Sequence, residues 1–103
     1  MAQIKWTDTA LDNINEIAEY ISLDSVFYAE QFVHKLISVS KKIENHPEIG
    51  RIIPELPMSG YREILYKKYR IIYRISNEDI YIVSIHHSSR LLSNNEFFEG
   101  LFE

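Results

Sequence analysis

The residues best suited to chemistry lie in one stretch, residues 61–90. This stretch carries six basic residues against three acidic ones, so its formal charge is 6 − 3 = +3 in a chain whose net charge is −4. The basic residues are Arg62, Lys67, Lys68, Arg70, Arg74 and Arg90. Guanidinium groups bind phosphate and carboxylate through paired hydrogen bonds. A basic island of this kind predicts a polyanionic or acidic partner.

His87, near the end of the same stretch, is the candidate for proton transfer, because imidazole exchanges protons readily near neutral pH. The alternative is a histidine that hydrogen-bonds a backbone carbonyl at the end of a strand. His86 faces the other way in a regular strand, so only one of the pair can line the arginine face. The histidines lack further ligands at a suitable spacing, and we therefore expect neither a metal nor another cofactor.

The spacing of apolar residues predicts that this stretch forms three strands. Residues 61–66, 69–75 and 80–87 are rich in β-branched and aromatic side chains and are separated by short polar breaks. Short breaks between strands predict hairpins and thus an antiparallel meander. Arg70 and Arg74 alternate with tyrosine and isoleucine, so one face of the sheet should be apolar and the other should present arginine.

Two amphipathic helices should precede the meander. Thr7 or Asp8 is the expected cap of the first helix and Asp24 or Ser25 that of the second. The second helix should end near Asn45, because the residue before a proline disfavours the helical conformation. The expected buried stripes are Ala10, Leu11, Ile14, Ile17, Ala18 and Ile21 in the first helix and Ala29, Phe32, Val33, Leu36, Ile37 and Ile43 in the second.

These elements predict a single α+β domain that spans residues 1–103. A short N-terminal strand at residues 3–6 should lie at the sheet edge, followed by an antiparallel helical hairpin that covers one face of a sheet of about four strands. Residues 47–60 contain all three prolines and should form a constrained loop. The apolar tail is compatible with a short C-terminal helix that starts near Ser93 or Asn94.

Composition excludes several classes of protein. The chain has no cysteine, which removes disulfide and thiolate chemistry. It has neither an apolar run near the ~20 residues of a membrane span nor the apolar core of a signal peptide, so we expect a cytoplasmic protein that does not bind membranes. The net charge of −4 disfavours general affinity for nucleic acid and confines any such role to residues 61–90.

Short motifs occur in a fixed order along nearly the whole chain. They are Trp6-Thr7, Ile17-Ala18-Glu19-Tyr20-Ile21, His46-Pro47-Glu48-Ile49-Gly50-Arg51, Pro54-Glu55, Tyr61-Arg62-Glu63, Tyr69-Arg70-Ile71-Ile72-Tyr73-Arg74 and His87-Ser88-Ser89-Arg90. Together with the order of strand, two helices and meander, they resemble the RelE/ParE superfamily, the toxins of bacterial type II toxin–antitoxin systems.

The resemblance implies one of two activities. RelE-type toxins cut mRNA on the ribosome without a metal, using basic side chains that clamp the scissile phosphate. In this chain the corresponding ribonuclease set is Arg62, Arg70, His87 and Arg90. ParE-type toxins share the sheet but poison DNA gyrase and are not nucleases themselves.

Three departures from the RelE pattern favour the ParE branch. Ile64 occupies the position at which the RelE-type strand carries a second lysine. No tyrosine follows Tyr81, so the C-terminal tyrosine of those enzymes has no counterpart. The ending from His87 to Arg90 is similar to the ParE-type His-x-x-Arg. We therefore expect a gyrase inhibitor rather than an enzyme, with a metal-independent, ribosome-dependent mRNA endoribonuclease as the alternative.

The resemblance also implies a cognate antitoxin, a small DNA-binding protein whose acidic C-terminal segment wraps the toxin in a hetero-oligomer. Such a segment combines a helix with a strand, and the strand would extend an exposed sheet edge. The residues expected to contact the antitoxin or the target are Arg62, Arg70, Arg74, His87 and Arg90. The alternative for these arginines is an internal ion pair with Glu55 or Glu63.

Overall fold

Two helices cover one face of a five-stranded sheet in the computed structural model, which describes residues 3–88. The elements in chain order are β1 (Ile4–Trp6), α1 (Asp8–Ser22), α2 (Val26–Asn45), β2 (Arg51–Ile52), β3 (Tyr61–Tyr66), β4 (Tyr69–Ser76) and β5 (Asp79–His87). The strand order is β1-β5-β4-β3-β2, with β1 parallel to β5 and all other pairs antiparallel. This confirms the α+β class, the helical hairpin, the meander and the edge position of β1. The expected C-terminal helix lies outside the described residues.

The strand β2 is an addition to the predicted sheet. It pairs Arg51 with Glu63 and Ile52 with Arg62. A strand of two residues shows no alternation in sequence, and it arises here because β3 offers it an unpaired edge.

The hydroxyl groups of Thr7 and Ser25 cap the two helices, as the sequence predicts. The Thr7 hydroxyl accepts a hydrogen bond from the Ala10 N–H at 3.1 Å and lies within hydrogen-bond distance of two carbonyl oxygens of β5. The Ser25 hydroxyl accepts from the Tyr28 N–H at 3.1 Å. The cap at Thr7 therefore joins the start of α1 to the sheet as well as satisfying its first turn.

The main core lies between the helices and the sheet. Its buried members are Ala10, Phe32, Leu36, Ile43, Ile71, Tyr73, Ile80, Ile82 and Ile85. Two residues of the predicted stripes, Leu11 and Ile37, are largely exposed instead. Leu11 follows the buried Ala10, and Ile37 follows the buried Leu36, so both fall at the margin of the buried face.

A second, smaller core covers the opposite face of the sheet. Ile53, from the loop after β2, is buried there against Tyr61, Ile72 and Val83, and Leu56 packs on this group. The expectation that this face is open and presents arginine is therefore wrong for its central part. The proline-rich loop covers it because its apolar side chains find buried partners on β3, β4 and β5.

The strands β4 and β5 shift register between Ile72 and Tyr73. Ile72 pairs with Ser84 and Tyr73 pairs with Ile82, so Val83 is the extra residue of a bulge. Ile82 and Ile85 consequently both join the helix-side core. The bulge also decides which face each histidine at the end of β5 takes.

Tyr73 anchors the loop that follows α2. Its side chain is fully buried, and its hydroxyl donates to the Pro47 carbonyl at 2.7 Å while accepting from the Gly50 N–H at 2.8 Å. Both loop groups thus find a partner inside the protein. Burial raises the pKa of Tyr73 above its ordinary value.

Replacing Tyr73 with phenylalanine should lower the free energy of unfolding by about 1–3 kcal/mol, because two buried backbone groups lose their partner. Because the folded-state pKa of Tyr73 is raised, its contribution to stability should be complete below pH 10.0 and decline as the pH rises through the folded-state pKa. Urea denaturation across this range should show a smaller alkaline loss in Tyr73→Phe than in wild type. The exposed Tyr28→Phe is the control, and equal alkaline losses in all three proteins would contradict the assignment.

Candidate functional site

Arg70 is buried in an internal ion pair rather than presented at the surface. The residue is 6% exposed. Its two terminal nitrogens donate to the Glu55 carboxylate at 2.7 and 2.9 Å, and its Nε donates to Glu63 at 2.5 Å. The hydrogen bonds that Arg70 donates to Glu55, with a further contribution from Glu63, raise the pKa of Arg70. The internal ion pair is confirmed for this arginine, and its expected presentation on an open face is wrong.

Glu63 lies at the centre of a wider charge network. Its side chain is fully buried, and it accepts a second hydrogen bond from the Nε of Arg51 at 2.6 Å. We call Arg51, Glu55, Glu63 and Arg70 the Glu63 network. It holds two cations and two anions, so its formal charge is 2 − 2 = 0. Each oxygen of the buried Glu63 carboxylate therefore accepts a hydrogen bond from a guanidinium group, Oε1 from Arg70 and Oε2 from Arg51.

Arg62 lies on the opposite face of the sheet from Arg70. In the β3–β4 ladder it pairs with Tyr73, a residue of the helix-side core, whereas Arg70 pairs with Leu65. Cross-strand partners share a face. The guanidinium group of Arg62 donates to the Gly50 carbonyl at 2.8 Å. The structure therefore does not bring Arg62 and Arg70 together as an anion clamp.

Arg74 is exposed and lies on the same face of the sheet as Arg70. It pairs with Tyr61 and Tyr81 on the neighbouring strands. The carbon of its guanidinium group lies 6.0 Å from the centroid of the Tyr81 ring, within range of a cation–π contact. Arg90, the last predicted contact residue, lies outside the described residues.

His87 faces the helices, on the opposite side of the sheet from Arg70 and Arg74. Its ring packs edge-on against Tyr69, with centroids 5.6 Å apart, and Tyr69 contacts Phe32 of α2. The cross-strand neighbour of Arg70 is His86. The expectation that His87 lines the arginine face is therefore wrong.

A groove of about 450 Å³ opens between α2 and the edge of β3. Its lining combines apolar residues with Lys42, Arg51 and Glu63. The lining residues are Val39, Lys42, Ile49, Arg51, Glu63, Ile64, Leu65 and Tyr66. We call this the α2–β3 groove. No single stretch of sequence indicates it, because it depends on where β2 stops.

The wall of the α2–β3 groove includes unpaired strand edge. The strand β2 covers β3 at Arg62 and Glu63 and goes no further. Tyr66 and Tyr69 close the two-residue turn to β4 as partners, and backbone groups of an antiparallel strand alternate in direction. The N–H and C=O of Leu65 therefore point away from β4 towards the groove, where a further strand can bind.

Two findings concern the described residues alone. Within residues 3–88, no helix is both long and apolar enough to cross a bilayer. In the same part of the chain, no three His, Asp or Glu side chains are grouped so as to hold a metal ion.

A helical hairpin on a meander sheet with a parallel N-terminal edge strand defines a small α+β domain, and the family of this domain follows from its similarity to known proteins. The model of the family described as the ParE toxin of the type II toxin–antitoxin system, parDE, matches residues 4–92. The chain belongs to this family and is a type II toxin, which implies an antitoxin partner. The predicted resemblance to the RelE/ParE superfamily is thereby confirmed.

Two similar proteins extend the comparison. The protein named Toxin RelE2 from Caulobacter vibrioides is 32% identical over 92 residues, which cover 88% of this chain and 100% of that protein. A solved structure, described as the chromosomal ParDE TA system from P. aeruginosa, superposes with a TM-score of 0.73 at 21% identity. The match covers 84% of this chain and 96% of the other, and it supports the fold.

Proposed function

We propose that this ParE-family toxin acts in the cytoplasm by inhibiting DNA gyrase and stalling it on cut DNA. The observation that carries the choice between the two activities of the superfamily is the separation of the arginines. Arg62 and Arg70 lie on opposite faces of the sheet, and two carboxylates neutralise Arg70. This arrangement supports a toxin that binds a protein target over one that cleaves RNA.

Phosphate chemistry gives the physical reason for this preference. The transition state of RNA cleavage carries extra negative charge, which fixed cations must stabilise at close range. The Glu63 network has no net charge, and its two carboxylates would repel a phosphate brought near Arg70. Arg70 is buried and donates to two internal carboxylates, so its guanidinium group is not presented to a scissile phosphate.

The test is a supercoiling assay with purified gyrase, relaxed plasmid and ATP. The toxin should reduce the yield of supercoiled plasmid in proportion to its concentration, and prior addition of the cognate antitoxin should restore it. The same toxin preparation added to type I topoisomerase is the control and should have no effect. Undiminished supercoiling at micromolar excess of toxin would exclude this target.

The competing function is a metal-independent mRNA endoribonuclease, which the resemblance to RelE-type toxins implies, and one relative carries the name Toxin RelE2. In that case Arg62, His87 and Arg90 would have to act without Arg70. Purified toxin added to translating ribosomes should leave mRNA intact if gyrase is the target. Discrete cuts in ribosome-bound mRNA, mapped by primer extension, would establish the competing function instead.

We further propose that the acidic C-terminal segment of the antitoxin binds as a strand in the α2–β3 groove. The backbone groups of Leu65 supply the pairing edge, and Val39, Ile49 and Ile64 supply an apolar wall. Lys42 and Arg51 at the rim attract acidic side chains. The antitoxin would thereby lengthen the short strand β2 along β3.

Reversing the charge of Lys42 should weaken the antitoxin complex, because the groove then repels an acidic segment. We expect Lys42→Glu to raise the Kd by roughly tenfold, mainly through loss of electrostatic attraction. Lys41→Glu is a matched control, since Lys41 is the adjacent exposed lysine of α2 and does not line the groove. Biolayer interferometry with immobilised antitoxin measures both, and equal effects of the two variants would contradict the placement.

A further inference from the structure

The end of the helical hairpin carries a cluster of large apolar side chains with no role in either core. Five of them lie within nine residues, and they are 56–82% exposed. They are Tyr20, Leu23, Val26, Phe27 and Tyr28. Because three residues separate α1 from α2, all five lie at the same end of the hairpin. We call this cluster the tip patch.

Packing within the two cores does not explain why these five positions carry large apolar residues. The first buried residue of α2 is Ala29, one position after the patch ends. The rings of Phe27 and Tyr28 meet edge to face with centroids 5.6 Å apart, so each supports the other at the surface. Exposed aromatic clusters of this size mark binding surfaces, in which Tyr and Phe side chains supply most of the affinity.

The charge around the tip patch selects the chemistry of its partner. Residues 16–31, which contain the patch and its immediate neighbours, hold four acidic side chains and no lysine or arginine. The four are Glu16, Glu19, Asp24 and Glu30, and all lie on exposed positions. Such a field attracts cations and repels nucleic acid, anionic lipid and acidic peptides.

From this combination we propose that the tip patch binds a Lys/Arg-rich amphipathic helix of a partner protein, whose apolar face covers the aromatic rings and whose cations meet the surrounding carboxylates. The partner differs from the antitoxin, because an acidic segment would be repelled here. The chain's own residues 91–103 carry three Glu and no Lys or Arg, so they have the same sign as the patch. The proposal does not depend on the gyrase target or on the α2–β3 groove.

The probe is an 18-residue amphipathic peptide of lysine and leucine, titrated into the ¹⁵N-labelled full chain. We expect amide shifts clustered at residues 16–31 and an affinity that falls as salt is added. The double variant Phe27→Ser/Tyr28→Ser should bind at least about tenfold more weakly. Glu19→Lys/Glu30→Lys should also weaken binding, through charge alone. Met58→Ser is the matched control, because Met58 is 95% exposed and lies outside the patch.

Three results would overturn the proposal. The first is equal binding of a peptide in which glutamate replaces lysine. The second is a set of shifts centred outside residues 16–31, or unaltered by the two double variants. The third is self-association of the chain through the patch, seen in sedimentation velocity as a dimer that Phe27→Ser/Tyr28→Ser dissociates, since the occupant would then be a second copy.

Discussion

Replacing Glu63 with alanine should lower the free energy of unfolding by about 3–5 kcal/mol, the largest loss that we expect from a single substitution in this chain. The carboxylate is fully buried and lies 2.5 Å from the Nε of Arg70 and 2.6 Å from that of Arg51. Without it, Arg70 stays buried with one of its two acidic partners gone. Urea denaturation followed by circular dichroism measures the loss.

Two further variants separate the buried pair from the surface pair. Arg51 is 60% exposed, so Arg51→Ala should cost no more than about 1 kcal/mol. The double variant Glu63→Leu/Arg70→Met should recover much of the stability that Glu63→Ala loses, because it leaves neither charge of this pair buried. A loss below 1 kcal/mol for Glu63→Ala, or equal losses for Glu63→Ala and Arg51→Ala, would contradict the network as described.

Gly50→Ala should be the next most damaging change. A Cβ at this position would lie 2.7 Å from the backbone oxygen of Glu63 and 2.7 Å from the ring and hydroxyl of Tyr73. The clash should cost about 1–3 kcal/mol. If the loop moves to relieve it, the hydrogen bonds of the Tyr73 hydroxyl are lost as well, which adds about 1–3 kcal/mol.

The loop glycine Gly60 provides a matched control. A Cβ at Gly60 would meet no atom within 4 Å, although its φ of +82° imposes its own strain on alanine. Gly50→Ala should therefore lower both the stability of the fold and the affinity for antitoxin at the α2–β3 groove. Gly60→Ala should lower stability alone. Thermal melts measure the stability of both variants and interferometry measures their affinity for antitoxin. Unchanged affinity in Gly50→Ala would show that the loop at Gly50 does not shape the groove.

Local patterns were sufficient to predict both helices and four of the five strands that the structure describes, all except β2. The hydroxyl groups of Thr7 and Ser25 mark the helix starts because their caps depend on the next three residues alone. The end of α2 follows from Pro47, and the meander follows from apolar periods with short breaks. Each of these signals acts within one element or one turn, which is why the sequence is enough.

The arrangement of the arginines depends on contacts that no local pattern contains. The sequence predicts Arg62 and Arg70 on one basic face of the sheet. The strand register across the two-residue turn at Lys67 and Lys68 puts them on opposite faces. The bulge at Val83 similarly puts His86, and not His87, beside Arg70. These placements depend on pairing between strands, which a one-residue shift would invert.

The acidic partners of Arg70 differ in how far the sequence could indicate them. The sequence offers Glu63 and Glu55 as internal partners, and Glu63 lies on the same face as Arg70 and diagonal to it once the register of the hairpin is fixed. Glu55 reaches Arg70 from a loop 15 residues away in sequence because Ile53 and Leu56 hold that loop on the sheet. Arg70, in the middle of the basic stretch 61–90, therefore serves to stabilise the fold.

Gyrase is the proposed target of this toxin, and within the described residues Arg62 and Arg70 do not meet as an RNA-cleaving clamp. The most direct measurement is the amount of plasmid left linear and covalently bound to gyrase when a reaction with toxin is stopped by detergent and digested with protease. The account predicts that linear plasmid increases with toxin concentration and disappears when antitoxin is added first. Plasmid that stays uncut at micromolar excess of toxin, while ribosome-bound mRNA is cleaved by the same preparation, would contradict it.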